Sequence, residues 1–306
     1  MYLLRQIDDA LIDITILGTA GSLPTRERAL PSVALSHDGN LFLFDCGEGT
    51  QMQMMKYGIN PARLKAIFLS HIHGDHVIGI AGLVRTLALN NRKEELKIFI
   101  PKGFESAVKN LIVFDRPIIG YEIKIIGIKA GQIFRGKDFS VSSFKLNHNV
   151  ATYGFIFKED DKIKFIKDKC AKLGIKGTMF SELEKKGVIY VNGKRITAKG
   201  LTLPKPGKKI VYAADTRPSK STITAARNAD LLIHESSFTA EYGNLALARK
   251  HSTVTEAAGI AKKAKAKLLV VTHFSARYKN LNAIKKEAKQ TFSNTVAATD
   301  GYKLHI

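Results

Sequence analysis

Ala66-Ile67-Phe68-Leu69-Ser70-His71-Ile72-His73-Gly74-Asp75-His76 is the stretch on which the reading of this chain turns. Its first five residues form a short β-prone run, and a strand is expected over 66–70. The next six supply three histidines and one aspartate. Imidazoles and ionised carboxylates are metal ligands, and a tight loop at a strand end can aim alternate residues at one ion and the following pair at a neighbour. His71, His73, Asp75 and His76 are therefore candidate ligands of a binuclear centre. Gly74 is expected to supply the sharp backbone path that such a loop needs.

Outward from the loop, strand-like runs alternate with helical ones. Strands are expected over 12–17, 41–44, 97–100, 122–128 and 139–145, and a helix over 77–90. The second half repeats the pattern, with strands over 210–214, 231–233 and 268–272 and helices over 221–228 and 253–265. Alternation of this kind implies α/β layering. Three more potential ligands directly follow β-rich runs: His148, Asp215 and His273. Five of the nine histidines thus converge on one site at the carboxyl ends of strands. A carboxylate such as Asp215 can bridge two ions, one per oxygen.

Composition adds a direction. Lys and Arg number 48 against 27 Asp and Glu, a formal charge of +21, which attracts polyanions. Residues 158–209 hold 15 basic and 6 acidic side chains, a net +9, and read as a charged insertion. A second basic run, 262–267, reads either as a further contact with a polyanion or, more often for such runs, as a solvated helix face. Cys46 and Cys170 are the only cysteines, so neither a disulfide framework nor a four-cysteine zinc module is available. No apolar run approaches the roughly 20 residues needed to cross a bilayer, and the first residues lack the pattern of a signal peptide. A cytoplasmic protein with no membrane contact is the expectation.

The metal motif resembles that of the metallo-β-lactamase superfamily, H-x-H-x-D-H, and within it the chain is most similar to the RNase Z family, from Ile14 to Tyr278. The stretches 18–28 (Gly18-Thr19-Ala20-Gly21-Ser22-Leu23-Pro24-Thr25-Arg26-Glu27-Arg28), Asp45-Cys46-Gly47-Glu48-Gly49-Thr50-Gln51 and Ala214-Asp215-Thr216-Arg217 carry the likeness. His234-Glu235-Ser236-Ser237-Phe238 and His251-Ser252-Thr253 resemble two loops that the family uses near its scissile phosphate. The resemblance implies an α/β four-layer αββα sandwich, a single domain over 1–306 with a protruding RNA-binding arm at about 158–200. It implies two Zn²⁺ per subunit, one on His71, His73 and His148, the other on Asp75, His76 and His273, with Asp215 between them. The family's arm often has a Gly-Pro-rich turn after Leu-Gly-Ile, whereas this chain reads Leu173-Gly174-Ile175-Lys176-Gly177.

The activity so implied is removal of the 3′ trailer from precursor transfer RNA, leaving a 3′-hydroxyl on the tRNA, by a homodimer. Asp75 would orient the attacking water or accept its proton. His251, positioned by Glu235, would protonate or hydrogen-bond the leaving oxygen. Ser252-Thr253 with Glu256 also reads as a helix capping box, and the same turn can do both. Two other readings share these ligands: another hydrolase on the same scaffold, such as a small phosphodiesterase or thioesterase, and a non-catalytic RNA-binding relic.

Overall fold

The computed structural model describes residues 12–113 and 119–306. The chain forms two compact units. One contains the described residues up to Arg135, Ser140–Phe157 and Lys209–Ile306; the other contains Gly136–Phe139 and Lys158–Lys208.

The larger unit is built on two seven-stranded sheets. In the first, Asn40–Phe44, Leu64–Phe68, Leu96–Pro101 and Ile123–Ile128 run parallel. In the second, Lys209–Ala213, Leu231–Glu235, Leu268–Thr272 and Thr295–Ala297 do the same. Parallel neighbours point their carboxyl ends to one edge, so residues just past those ends gather there.

The strands are apolar on both faces, as strands covered on both sides must be. Leu41, Leu43, Ile67, Leu69, Ile98 and Ile100 pack with Met54, Ile80, Leu83 and Val84 of the helices Thr50–Lys56 and Gly79–Leu89. Their alternates are aromatic: Phe44 stacks on Phe68 (5.5 Å between centroids), Phe155 (5.7 Å) and Tyr212 (5.8 Å). Phe155 and Tyr212 lie on strands of the second sheet, so these rings form the layer between sheets. Behind the second sheet, Val211, Ala213, Leu269 and Val271 meet Ala257, Ala258 and Ala261 of the helix Val254–Ala264. Helix, sheet, sheet and helix are the four layers expected. Emptying the inner layer, as in Phe44→Ala, costs about 3–5 kcal/mol.

Several sequence expectations need correction. The helix expected over 77–90 is two, Gly74–Val77 and Gly79–Leu89, and the strand at 66–70 is Leu64–Phe68. Gly74 is not in the left-handed region; it opens the first of those helices, and the only close neighbour of an added Cβ would be the flexible tip of Ile78 at 2.9 Å. The unusual backbone sits instead at Asp45 (φ 60°) and His273 (φ 62°). Asp13–Gly18, Phe139–Lys145 and Tyr153–Glu159 join Ser32–His37, Gly131–Arg135 and Tyr302–His305 to complete the sheets, and the sequence pattern marks none of the last three.

The smaller unit has its own modest core of Cys170, Ile175, Leu183, Ile189, Val191, Ile196 and Leu201. Lys162–Phe165 pairs antiparallel with Thr202–Lys205, and Val188–Val191 with Lys194–Thr197. The second pair is a hairpin closed by Asn192-Gly193, both at positive φ, the dipeptide that suits a two-residue turn. Helices Lys167–Lys172 and Met179–Lys186 flank the core. The unit spans Lys158–Lys208, within the charged stretch 158–209, and takes in Gly136–Phe139 as well. Among the described residues no helix is long and apolar enough to cross a membrane.

Candidate metal centre

All seven ligand candidates meet at the carboxyl edge. His71, His73, Asp75 and His76 follow the strand Leu64–Phe68, Asp215 follows Lys209–Ala213, and His273 follows Leu268–Thr272. His148 lies in the turn between Phe139–Lys145 and Tyr153–Glu159. His71 Nε2 is 3.0 Å from His73 Nδ1, which is 3.3 Å from His148 Nε2. Asp215 Oδ2 faces this trio, 3.7 Å from His71 Nε2 and 3.8 Å from His148 Nε2. Asp215 Oδ1 faces the other way, 3.3 Å from His76 Nε2 and 3.1 Å from His273 Nε2. Asp75 Oδ2 lies 3.5 Å from each of those two nitrogens.

The outer atoms of these ligands are held. His76 Nδ1 donates to Asp45 Oδ2 at 2.7 Å. Asp45 also accepts from Ser70 N–H (2.7 Å), Ser70 Oγ (2.9 Å) and Tyr212 Oη (2.7 Å). His71 Nδ1 bonds Ser70 Oγ at 2.9 Å, His148 Nδ1 the Lys250 carbonyl at 3.0 Å, and His273 Nδ1 Ser237 Oγ at 3.0 Å. In four histidines, then, Nδ1 is committed outward and Nε2 is turned into the centre, the arrangement that fixes tautomer and ring orientation for a metal.

The donor set fits a divalent cation. His76 Nε2, His273 Nε2 and Asp215 Oδ1 are buried without a hydrogen-bond partner, an arrangement that costs stability unless something else satisfies them. A tetrahedral ion with bonds of about 2.0–2.1 Å needs ligand atoms about 3.3 Å apart, and the spacings above straddle that value. Burial, reinforced by His76, keeps His71 neutral, and burial lowers the pKa of His148. Burial would raise Asp75 and Asp215, but the surrounding imidazoles outweigh it and hold both ionised. Against the cost of its burial, Asp215, Asp45 and Asp75 draw His76 toward protonation; a cation supplies the same positive charge and leaves the imidazole free to ligate.

His251 and Glu235 adjoin this cluster. Glu235 is buried and accepts from Thr216 N–H (3.1 Å), Ser237 N–H (2.9 Å), Ser252 N–H (2.8 Å) and His251 Nδ1 (3.1 Å), tying three loops together. Burial opposes charge on His251, yet Glu235 and Asp215 prevail and lift its pKa to about 9. His251 Nδ1 is engaged by Glu235, and its ring also lies close enough to Asp215 and His273 for the three to share a cation. The turn after it is also the expected capping box, Thr253 and Glu256 exchanging hydrogen bonds. Arg217 joins the two by donating to the His251 carbonyl (2.6 Å) and to the Glu256 carboxylate (2.8 Å).

Sequence reasoning missed Asp45, Ser70, Tyr212 and Asp300. Asp300 accepts from Thr19 N–H (2.9 Å), Thr19 Oγ1 (2.7 Å), Ala29 N–H (2.6 Å) and Gln53 Nε2 (2.9 Å). It thereby clamps both ends of the loop whose Ser22 N–H donates to Asp75 Oδ2 at 2.9 Å. Asp45 could have been noticed as a carboxylate just past a strand end; nothing local marks Asp300.

A His/Asp cluster at the shared edge of two sheets, wrapped in helices, defines a hydrolase domain of the metallo-β-lactamase type. The Beta-lactamase superfamily domain matches residues 40–274. Ribonuclease Z of Methanosarcina mazei is 37% identical over 300 residues, covering 97% of this chain and 98% of that one. Ribonuclease Z of Methanosarcina acetivorans is 39% identical over 303 residues, covering 97% and 98%. The chain belongs to the ribonuclease Z family and is an enzyme of that type. Among solved structures, the short form of human tRNase Z superposes with a TM-score of 0.70 at 25% identity, covering 95% of this chain and 98% of that one. The metallo-β-lactamase fold protein YhfI of Bacillus subtilis, 23% identical, superposes at 0.72 over 97% of this chain and 100% of its own, a likeness of fold.

Proposed function

We propose that the protein is a two-zinc endoribonuclease that removes the 3′ trailer of precursor transfer RNA, leaving a 3′-hydroxyl on the tRNA and a 5′-phosphate on the trailer. The observation that carries this reading is the division of the Asp215 carboxylate, with Oδ2 facing His71 and His148 and Oδ1 facing His76 and His273. His71, His73 and His148 would hold one ion, Asp75, His76 and His273 the other, and Asp215 both. When bound, such ions lower the pKa of water from about 15.7 towards about 7 and neutralise charge that develops on the phosphoryl oxygens.

The chain's own residues supply the rest. Asp75, kept ionised and steadied by the Ser22 amide, orients the attacking water and takes its proton. As the P–O3′ bond breaks, the leaving oxygen needs a proton. His251, drawn toward protonation by Glu235, delivers it from Nε2, because Nδ1 is held by that carboxylate. Exposed lysines of the smaller unit, among them Lys162, Lys164, Lys167, Lys172 and Lys194, neutralise phosphates of the transfer RNA body, reading its shape rather than its bases. The family resemblance extends to a cytoplasmic homodimer; Met52 and Met55, exposed at successive turns of one helix, offer apolar surface for it.

The deciding experiment incubates zinc-loaded protein with precursor transfer RNA and maps both product ends. A 3′-hydroxyl just after the discriminator nucleotide is expected. Cleavage elsewhere, or turnover of a chromogenic phosphodiester with none of the precursor, would replace this substrate with a small ester.

A further inference from the structure

A cleft of about 490 Å³ opens on the larger unit, lined by Pro101, Lys102, Lys129, Lys145, Ala151 and Tyr153. Its three lysines come from three places in the chain and arrive together for one topological reason. Lys102 follows the strand Leu96–Pro101, Lys129 follows Ile123–Ile128, and Lys145 ends Phe139–Lys145. All three strands finish at the edge that bears the metal centre. Tyr153, the buried wall of the cleft, donates its backbone N–H to the Ser70 carbonyl at 2.9 Å, and Ser70 immediately precedes His71. Lys145 stands three residues before His148.

All three lysines are exposed. Among the described residues none of their ammonium groups has a carboxylate within 4.0 Å, in contrast to Lys65, Lys97, Lys124 and Lys267 on other faces. Glu105, on the turn after Lys102, is folded back on the Gly103 amide at 2.7 Å. Three like charges around one concavity repel each other, and that repulsion is relieved when an anion enters. An ammonium is a point charge with rotatable donors, suited to phosphate oxygens without demanding a fixed geometry.

We propose that Lys102, Lys129 and Lys145 form a phosphodiester-binding site that holds the substrate's backbone beside the metal centre, separate from the contacts of the smaller unit. The inference rests on the ribonuclease reading and adds to it a second anchoring point. An RNA strand cleaved at the metal centre must leave it in two directions, and positive charge at the same sheet edge would steady it along one of them. The chemistry is the same whether the phosphates belong to the transfer RNA or to its trailer.

The test is the triple variant K102Q/K129Q/K145Q in the full chain, with metal content and melting temperature confirming an intact fold. It is assayed on two precursors, one with a single-nucleotide trailer and one with a long trailer. The KM is expected to rise about tenfold while kcat stays within about twofold. The log–log salt dependence of binding should flatten by about 2, at roughly 0.7 for each single-strand phosphate that the lysines cease to neutralise. A rise in KM with both precursors assigns the cleft to the transfer RNA; a rise confined to the long trailer assigns it to the trailer. Unchanged KM and salt slope with both, while the parent protein cleaves them, overturns the proposal. If the parent cleaves neither, the substrate reading fails instead, and anisotropy with fluorescent oligouridylate still decides the cleft: equal affinity for parent and variant refutes it.

Discussion

The metal edge and the 158–208 unit solve opposite problems with opposite materials. At the edge, ligands are drawn from both sheets, buried or half-buried, and four of the five imidazoles in the centre are held from behind by a carboxylate, hydroxyl or carbonyl. In the 158–208 unit, a core of seven buried residues supports a surface of exposed lysines, of which Lys186 pairs with Glu182 one helical turn away. Position is everything at the first and sign of charge nearly everything at the second. Chemistry on one phosphorus demands atoms fixed to within a fraction of an ångström, whereas a polyanion is attracted by any adequate density of positive charge.

The sharpest way to break that contrast is to remove a ligand. His73→Ala and Asp215→Ala should lower single-turnover cleavage by about 10³-fold, the upper end of what losing one electrostatic stabiliser costs, while filter binding of precursor RNA stays within a few-fold. Abolished binding would mean that the edge also carries the grip. Next in size, His251→Ala should slow cleavage by about 10²-fold or more with metal content unchanged. Reduced metal content would make it a ligand rather than a donor.

Asp45→Asn tests the support behind the ligands. It keeps the shape and the left-handed backbone that asparagine tolerates, but loses the charge that faces His76. Metal affinity, measured by competition with a chelator, should fall by about 10–100-fold. Asp300→Ala should release the loop over residues 19–29, lowering stability by about 2–3 kcal/mol as several hydrogen bonds disappear and exposing that loop to protease. The smallest effects belong to the other unit. Lys172→Ala or Lys194→Ala should each weaken RNA binding less than threefold and flatten the salt dependence by under about 1. A single lysine there with a tenfold effect would point to a shaped pocket rather than a diffuse field.

Much of the site was legible because its residues announce themselves locally. His71, His73, Asp75 and His76 share one loop, and His148, Asp215 and His273 each follow a β-rich run, so strand ends were enough to gather them. The strand Phe139–Lys145 and the helix Val254–Ala264 with its capping box were legible for the same reason: alternation and caps are short-range signals. Ser32–His37 and Tyr302–His305 were not, since the first mixes polar residues into its run and the second depends on pairing with Asp13–Gly18.

The sequence by itself determined the chemistry: a run of imidazoles and carboxylates at strand ends, and a charge of +21 that selects polyanions. Only the tertiary structure decided how those ligands are held. Asp45 reaches His76, Ser70 and Tyr212 from 31, 25 and 167 residues away, and Asp300 pins a loop 271 to 281 residues distant. Nor does anything in the chain bring Lys102, Lys129 and Lys145 to one cleft until parallel strands align their carboxyl ends. Ligand identity is a property of side chains, which a sequence states outright. Orientation and convergence are properties of packed strands, which it states only through the fold.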